Sequence, residues 1–369
     1  MQEELIYDIA LSRIDGVGSI MYRQLINTFG SAEEVFKASS PRLMKIPNLG
    51  KVVFNHIKKN IDAFLDAKEI YNKSHELGIR IVNFNDLEYP ERLKNIYEAP
   101  PILYLKGKGN LKYEKTIAIV GTREASEYGK KVTDDIVTQL VANNVQIISG
   151  LAYGIDIAAH KSALKNGIST VAVLANSLDS VYPASHKKQA KEIEEHGLLI
   201  SENPIGTRVA PSFFIARNRI IAGLSDVVIV SESAKKGGSM VTAEFANNYN
   251  RDVFAIPGGL NQKYSEGPNY LISLNKAQIF TTVPNFLDWM NWTIGEEPKK
   301  DRSKVELDLN KFTLDESNVL SLLMKNKEML IDDLSWQSQI HLNKLASILL
   351  NLEFQDLVKQ SPGKKFALQ

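Results

Sequence analysis

The chain has 369 residues, 44% hydrophobic and 24% charged, with no cysteine; that length suggests two to four domains, and no apolar run approaches the ~20 residues of a membrane span, so no membrane association is expected. The missing cysteine excludes a disulfide framework and thiolate metal sites and fits a reducing cytoplasm, the expected location. With 44 Lys and Arg against 43 Asp and Glu, the formal net charge is +1, which excludes a global field for polyanions; nucleic-acid binding must rest on a local patch.

From Met1 to Leu5 no basic segment precedes an apolar one, so no signal peptide is expected. Residues 1–72 read as a helical domain. Ile14-Asp15-Gly16-Val17-Gly18 leads into an amphipathic segment from Met21 to Phe29, and Ile46-Pro47-Asn48-Leu49-Gly50 into another from Val53 to Ile61. Each predicts helix, tight turn and helix, with glycine supplying a positive φ, a helix-hairpin-helix or SAM-like pattern. Such turns either hold duplex phosphates on backbone N–H groups or merely connect helices. The flanking basic residues are few, Arg13, Arg23, Lys51, Lys58 and Lys59, and both readings stay open.

Residues 73–295 alternate. Strand-like runs fall at Ile79–Phe84, Ile102–Gly107, Thr116–Gly121, Val145–Gly150, Ser169–Asn176, Leu198–Glu202, Asp226–Glu232, Asp252–Gly258 and Ala277–Thr282, with amphipathic segments such as Lys130–Asn143 and Met240–Asn250 between them. This predicts an α/β, Rossmann-like, doubly wound and mostly parallel sheet. The charged stretch 296–306 reads as a linker. In 307–369, three helical patterns (Asp315–Met324, Ile331–Gln337, Leu342–Leu352) and a hairpin around Ser361-Pro362-Gly363-Lys364 give the order of a winged helix. Trp336 is expected to fill its core, and Trp289 and Trp292 to close the end of the α/β core.

Loops at the C-terminal ends of parallel strands line the binding crevice of such a sheet, and four glycine-bearing segments fall there. Gly121-Thr122-Arg123 follows a strand directly; glycine permits close backbone approach and Arg123 can fork onto a phosphate. Ser149-Gly150 and Gly154 surround the next strand end and helix start; Asp156 and His160 beyond them read as a helix-terminal residue and a helix residue packed on the sheet. Phe214, Arg217, Asn218 and Arg219 lie on one segment. The two arginines diverge by about 200° on a helix, so one contacts ligand while the other ties helix to sheet. Lys236-Gly237-Gly238-Ser239, with Lys235, forms a fourth anion nest. None is G-x-G-x-x-G or a P-loop, so no dinucleotide cofactor and no ATPase activity is expected. Several phosphate contacts beside aromatic residues suit a single strand of nucleic acid.

At these residues the chain resembles the DprA/Smf DNA-processing family. The matching runs are Ile119–Arg123 with Tyr128-Gly129, Ser149–Asp156 with His160, Leu178-Asp179 with Tyr182-Pro183, Ser201-Glu202, Arg217–Ser225, Gly238-Ser239 with Thr242-Ala243, and Pro257-Gly258; the tail matches at Leu352-Glu353, Leu357-Val358 and Pro362-Gly363. The resemblance implies a protein without catalytic activity that binds single-stranded DNA, forms homodimers and loads RecA recombinase during natural transformation. It makes Gly121-Thr122-Arg123 the phosphate motif and Arg208, by position, a further DNA contact. The chain departs from the family at Ala175-Asn176-Ser177, where relatives carry a small glycine-rich turn, and at His186, where asparagine is common. The third winged-helix segment has only His341 and Lys344 as basic groups, against Glu353, and so reads as a protein-contact module. For the dimer, Ala277–Thr282 is expected to be an uncharged edge strand, presenting Ile279 and Phe280 beside Tyr270, Leu271 and Leu274.

One enzymatic alternative remains. Gly237-Gly238-Ser239 with Thr242 and Glu244 is similar to the motif of nucleoside-monophosphate phosphoribohydrolases, in which a buried Glu244 would polarise the leaving ribosyl bond. The proline of that motif is absent, however, and Glu244 lies one residue beyond its register. No His/Asp/Glu cluster has metal-ligand spacing, so no metal is expected.

Overall fold

The computed structural model describes residues 2–59, 61–292, 312–326, 328–355, 357–361 and 365–368. Contacts divide the chain into two compact units, Met1–Ile294 and Gly295–Gln369; the predicted linker, 296–306, lies outside the described residues.

In the first unit a strand falls at each of the nine strand-like runs, β3 starting one residue before its run: β1 (Arg80–Asn83), β2 (Ile102–Lys106), β3 (Lys115–Val120), β4 (Val145–Ser149), β5 (Thr170–Val173), β6 (Leu198–Ser201), β7 (Val227–Val230), β8 (Asp252–Ala255) and β9 (Gln278–Ile279). They form one sheet in the order β1-β2-β6-β5-β4-β3-β7-β8-β9. Every pairing from β6 across to β9 is parallel, while β2 and β1 add antiparallel strands at the far edge. The strand order reverses at β3, whose neighbours are β4 and β7. Side chains alternate between two cores: Ile117 and Ile119 join Ile147, Ile229 and Phe254 on one face, while Ala118 and Val120 join Ile148, Val228 and Ile220 on the other. Burial on both faces is why these strands read as unbroken apolar runs.

The helical block packs onto the β2–β6 side, where Ile9, Ala10, Ala67 and Ile70 share a core with Tyr104, Ala172 and Leu199. Its two predicted turns are present. Gly16 has φ +90° and Asn48 φ +63°, Gly18 precedes the helix Ser19–Phe29, and Gly50 precedes Lys51–Lys58. A Cβ at Gly16 would strike Val53, so the two hairpins are packed turn against helix. Most of the flanking basic residues are engaged. Arg13 pairs with Asp66, Arg23 donates to the carbonyls of Lys94 and Ile96, and Lys58 donates to that of Ala38.

The second unit has the winged-helix order: helices Leu314–Asn326, Ile331–Ser338 and Leu342–Phe354, then β11 (Val358–Ser361) and β12 (Lys365–Leu368). A third strand not expected from sequence, β10 (Glu328–Leu330), pairs with β12. Trp336 does not fill this core. It is 78% exposed, and Leu320, Leu334, Leu345, Leu349 and Phe366 make the core instead. In the first unit Trp292 packs against its core, whereas Trp289 touches Phe254 edge-on and is otherwise exposed.

Candidate nucleic-acid interface

The sheet's reversal point opens a crevice of about 400 Å³, lined by Gly121, Thr122, Arg123 and Glu124 after β3, Ala152 and Asp156 after β4, Phe214, Arg217 and Asn218 from the helix Pro211–Leu224, and Ser233, Gly237, Gly238 and Ser239 after β7. Chains that diverge from one point of a parallel sheet leave such a gap at their carboxyl ends. The four glycine-bearing segments therefore converge.

The loop after β3 is wedged in place. A Cβ at Gly121 would collide with Ile155 and the Glu232 carbonyl, and one at Gly154 (φ +77°) with the Thr122 carbonyl. The Thr122 amide donates to the Glu232 carbonyl at 2.6 Å, and the Ile155 amide donates to the Thr122 carbonyl at 3.2 Å. Glu232 also accepts from the Ser126 amide at 2.9 Å and hydroxyl at 2.6 Å, and a Cβ at Gly129 would strike its carboxylate. Two features sequence reasoning treated as motif thus turn out to anchor the loop at both ends. Arg123 stands exposed at the tip, its guanidinium 5.1 Å from the Phe214 ring centroid, and donates no hydrogen bond to any described residue. Opposite, the helix Gly238–Asn248 begins at the crevice, where its first N–H groups have no intrahelical acceptor. Asn218 fixes that end by donating to the Gly238 carbonyl at 3.1 Å, and Ser239 donates to Ser233 at 2.8 Å. Apart from its chain neighbours and its own helix, no described residue lies within 4 Å of where a Cβ would be at Gly238, so the backbone there is open to a ligand.

Arg217 is the crevice floor rather than a free phosphate fork. It is buried, donates to the carbonyls of Gly150 (2.6 Å) and Val173, and faces the buried Asp156. Burial pulls Arg217 down to about 10 and pushes Asp156 above its ordinary range, and the opposite charges moderate both shifts. Arg219 is held too, paired with Glu202 beyond β6. Both arginines therefore tie the helix to the sheet, where one was expected to meet ligand. His160 is the packed helix residue expected of it. Its Nδ1 lies 2.7 Å from the Thr170 hydroxyl, its Nε2 has no hydrogen-bond partner among the described residues, and burial holds it down at about 3.

Of the other expected site residues, Ser149 is buried and donates to the Ile119 carbonyl at 2.6 Å, so its hydroxyl serves the sheet. Gly150 has no room for a Cβ because Arg217 lies against it. Gly154 acts through the loop it supports. Arg208 and Lys236 are exposed but outside the crevice lining, and Lys235 stands 4.2 Å over the Tyr270 ring. The departure from the family at Ser177 leaves a buried hydroxyl donating to the Thr207 carbonyl at 3.0 Å, and His186 is buried against the Leu151 carbonyl at 2.8 Å. For the dimer, β9 is an edge strand, but Leu271 and Phe280 lie in the chain's own cores, leaving Tyr270, Leu274 and Ile279 exposed. Glu244 is exposed and does not line the crevice, so it is not the buried carboxylate that the phosphoribohydrolase reading expected. No described helix is long and apolar enough to cross a membrane, and no metal-binding cluster occurs among the described residues.

Sequence comparison matches residues 80–291 to the family model of the DNA recombination-mediator protein A and residues 300–364 to the DprA winged helix domain. Protein Smf of Synechocystis is 29% identical over 98% of both chains. The DNA processing protein DprA of Bacillus subtilis is 32% identical over 73% of this chain and 91% of its own. Among solved structures, DprA of Streptococcus pneumoniae superposes with a TM-score of 0.66 at 32% identity, covering 77% of this chain and 97% of the other. DNA processing protein A of Helicobacter pylori, described with its single-stranded DNA binding mode, gives 0.53 at 32% identity over 58% and 95%.

Proposed function

Because the chain belongs to the DNA recombination-mediator protein A family, we propose that it binds single-stranded DNA in the crevice at the sheet's reversal point and hands the strand to RecA recombinase, without catalysing a reaction. The observation that carries this reading is the convergence on one crevice of an open helix N-terminus at Gly238 and the exposed guanidinium of Arg123, beside Phe214 and without a hydrogen-bond acceptor among the described residues. Backbone N–H groups and a forked cation take phosphate oxygens, and the adjoining ring takes a base. Gly121, Thr122, Gly237 and Ser239 shape this site; Gly150, Gly154, Arg217 and Asn218 hold it. The single-strand binding described for the Helicobacter relative supports the reading. In the cytoplasm the protein protects incoming DNA during transformation, and it acts as a homodimer through the β9 edge, with Tyr270, Leu274 and Ile279 as the apolar face. The charged stretch 296–306 links the α/β unit to a winged helix that contacts protein.

The deciding experiment compares binding of single- and double-stranded oligonucleotides at low and physiological salt. The expected result is preference for the single strand with affinity falling steeply as salt rises; equal affinity for both forms counts against it. Stimulation of RecA filament formation on the same strand tests the hand-off.

A further inference from the structure

Beside the half-buried Phe214 of the crevice lining, two further aromatic rings, Tyr182 and Tyr153, are exposed. Phe214, beside Arg123, meets Tyr182 at a centroid distance of 5.6 Å. Three residues on in the chain, the Ser185 hydroxyl donates to the Tyr153 phenol at 3.0 Å, and Tyr153 rests edge-on, 4.9 Å away, on the buried His186 ring. Tyr182 is 45% and Tyr153 48% exposed. Lys187 and Lys188 are exposed immediately beyond. A single exposed aromatic needs no explanation. Here three rings gather at one anion site: Phe214 lines it and touches Tyr182, and Tyr153 follows the lining residue Ala152 and is tied to Ser185, three residues from Tyr182. Tyr153 is positioned by a hydrogen bond and by a histidine that is itself tied to the Leu151 carbonyl. A ring already held in place loses little rotamer freedom when a flat ligand stacks on it.

We propose that the strand leaves the crevice over this ledge, with successive bases stacked on Phe214, Tyr182 and Tyr153 and the backbone running toward Lys187 and Lys188. This rests on the crevice binding single-stranded DNA and adds the path of the strand and the source of its selectivity. Phosphate contacts are common to single strand and duplex, but the faces of paired bases are occupied by their neighbours in the stack. The ledge is therefore what makes the protein prefer a single strand.

The test uses the full chain and two oligonucleotides of equal length, one of thymidines and one abasic throughout, so that phosphates are matched and bases are not. Wild type binds the thymidine strand more tightly. Replacing Tyr153 and Tyr182 together by Ala weakens thymidine-strand binding by about 5- to 150-fold per ring, the range for a stacked base, and leaves the abasic strand unchanged; Phe at both positions keeps the preference. Tyr182→Ala alone, at a ring whose aromatic neighbour is Phe214, gives the same comparison if removal of Tyr153 loosens His186. Arg123→Ala weakens both strands alike. Equal wild-type affinity for the two strands, or an alanine variant that keeps the wild-type preference, overturns the ledge while leaving strand binding by the crevice intact. A wild type that binds neither strand overturns both.

Discussion

The crevice of the α/β sheet and the third helix of the winged helix are two places where this chain presents a shape associated with nucleic acid, and their surfaces differ in kind. At the crevice the backbone is brought to the surface by glycines that close approach demands, and the Arg123 guanidinium at its lip donates to no described residue. The helix Leu342–Phe354 instead presents Leu342, Leu350 and Phe354, all exposed, and its one lysine, Lys344, is paired with Asp315. With a net charge of +1 the protein has no field to spare, so attraction for phosphate exists only where unpaired donors are gathered. A helix of the right shape but lined with leucine has more in common with a protein-binding face.

Four changes break or sharpen that contrast. Arg217→Leu should cost the most, about 3–5 kcal/mol of stability, because it strands Asp156 in the interior; urea unfolding measures it, and the double change with Asp156→Leu should recover a large part. A small effect would mean the crevice floor is not held by this pair. Arg123→Ala should weaken single-strand binding by about 1–3 kcal/mol and make the salt slope shallower by less than one, with stability unchanged. Unaltered affinity at low salt removes Arg123 from the site.

The next effect depends on pH. His160 sits at about 3 when folded against an ordinary 6.5, so the unfolded chain binds the extra proton first. Its contribution is whole above 6.5 and is lost as pH falls toward 3, at a slope of at most about 1.4 kcal/mol per pH unit. Asp8, buried beside Tyr22 and raised to about 6 from 3.8, works in the opposite direction: the folded state takes up its proton first, so stability from this group grows as pH falls from 6 to 3.8. Unfolding midpoints of His160→Gln minus wild type isolate the histidine, and the difference should narrow steadily below pH 6.5. Smallest of all, removing residues 312–369 should alter single-strand affinity by no more than about 0.5 kcal/mol, the scale of a remote surface change. A shortened chain that folds but no longer binds would place the winged helix in the site.

The sheet was legible because strands buried on both faces must be apolar throughout. β10 was not: it is three residues long, and only Met329 is buried. The crevice loops were legible because tight approach of backbone to backbone requires glycine whatever the partners. Which way a long side chain turns was not, since Arg217 and Arg219 have similar neighbours in sequence and their acceptors come from β4, β5 and the end of β6. Aromatic and aliphatic exposure was equally hidden. Leu271 and Phe280 fill cores while Tyr153, Tyr182 and Trp336 stand out, and that is decided by elements distant in the chain.

The double anchoring of the loop after β3, at Thr122 by the Glu232 carbonyl and Ile155 and at Ser126 by the Glu232 carboxylate, has a consequence in time. Arg123 is carried between Thr122, whose amide and carbonyl are both engaged, and Ser126, whose amide and hydroxyl are both held by Glu232, so no rearrangement of this loop has to precede capture of a phosphate. Mixing protein with excess strand should give a single exponential whose rate rises in proportion to strand concentration without levelling off. Loosening the anchor with Ser126→Ala should introduce a plateau, as encounters begin to wait for the loop.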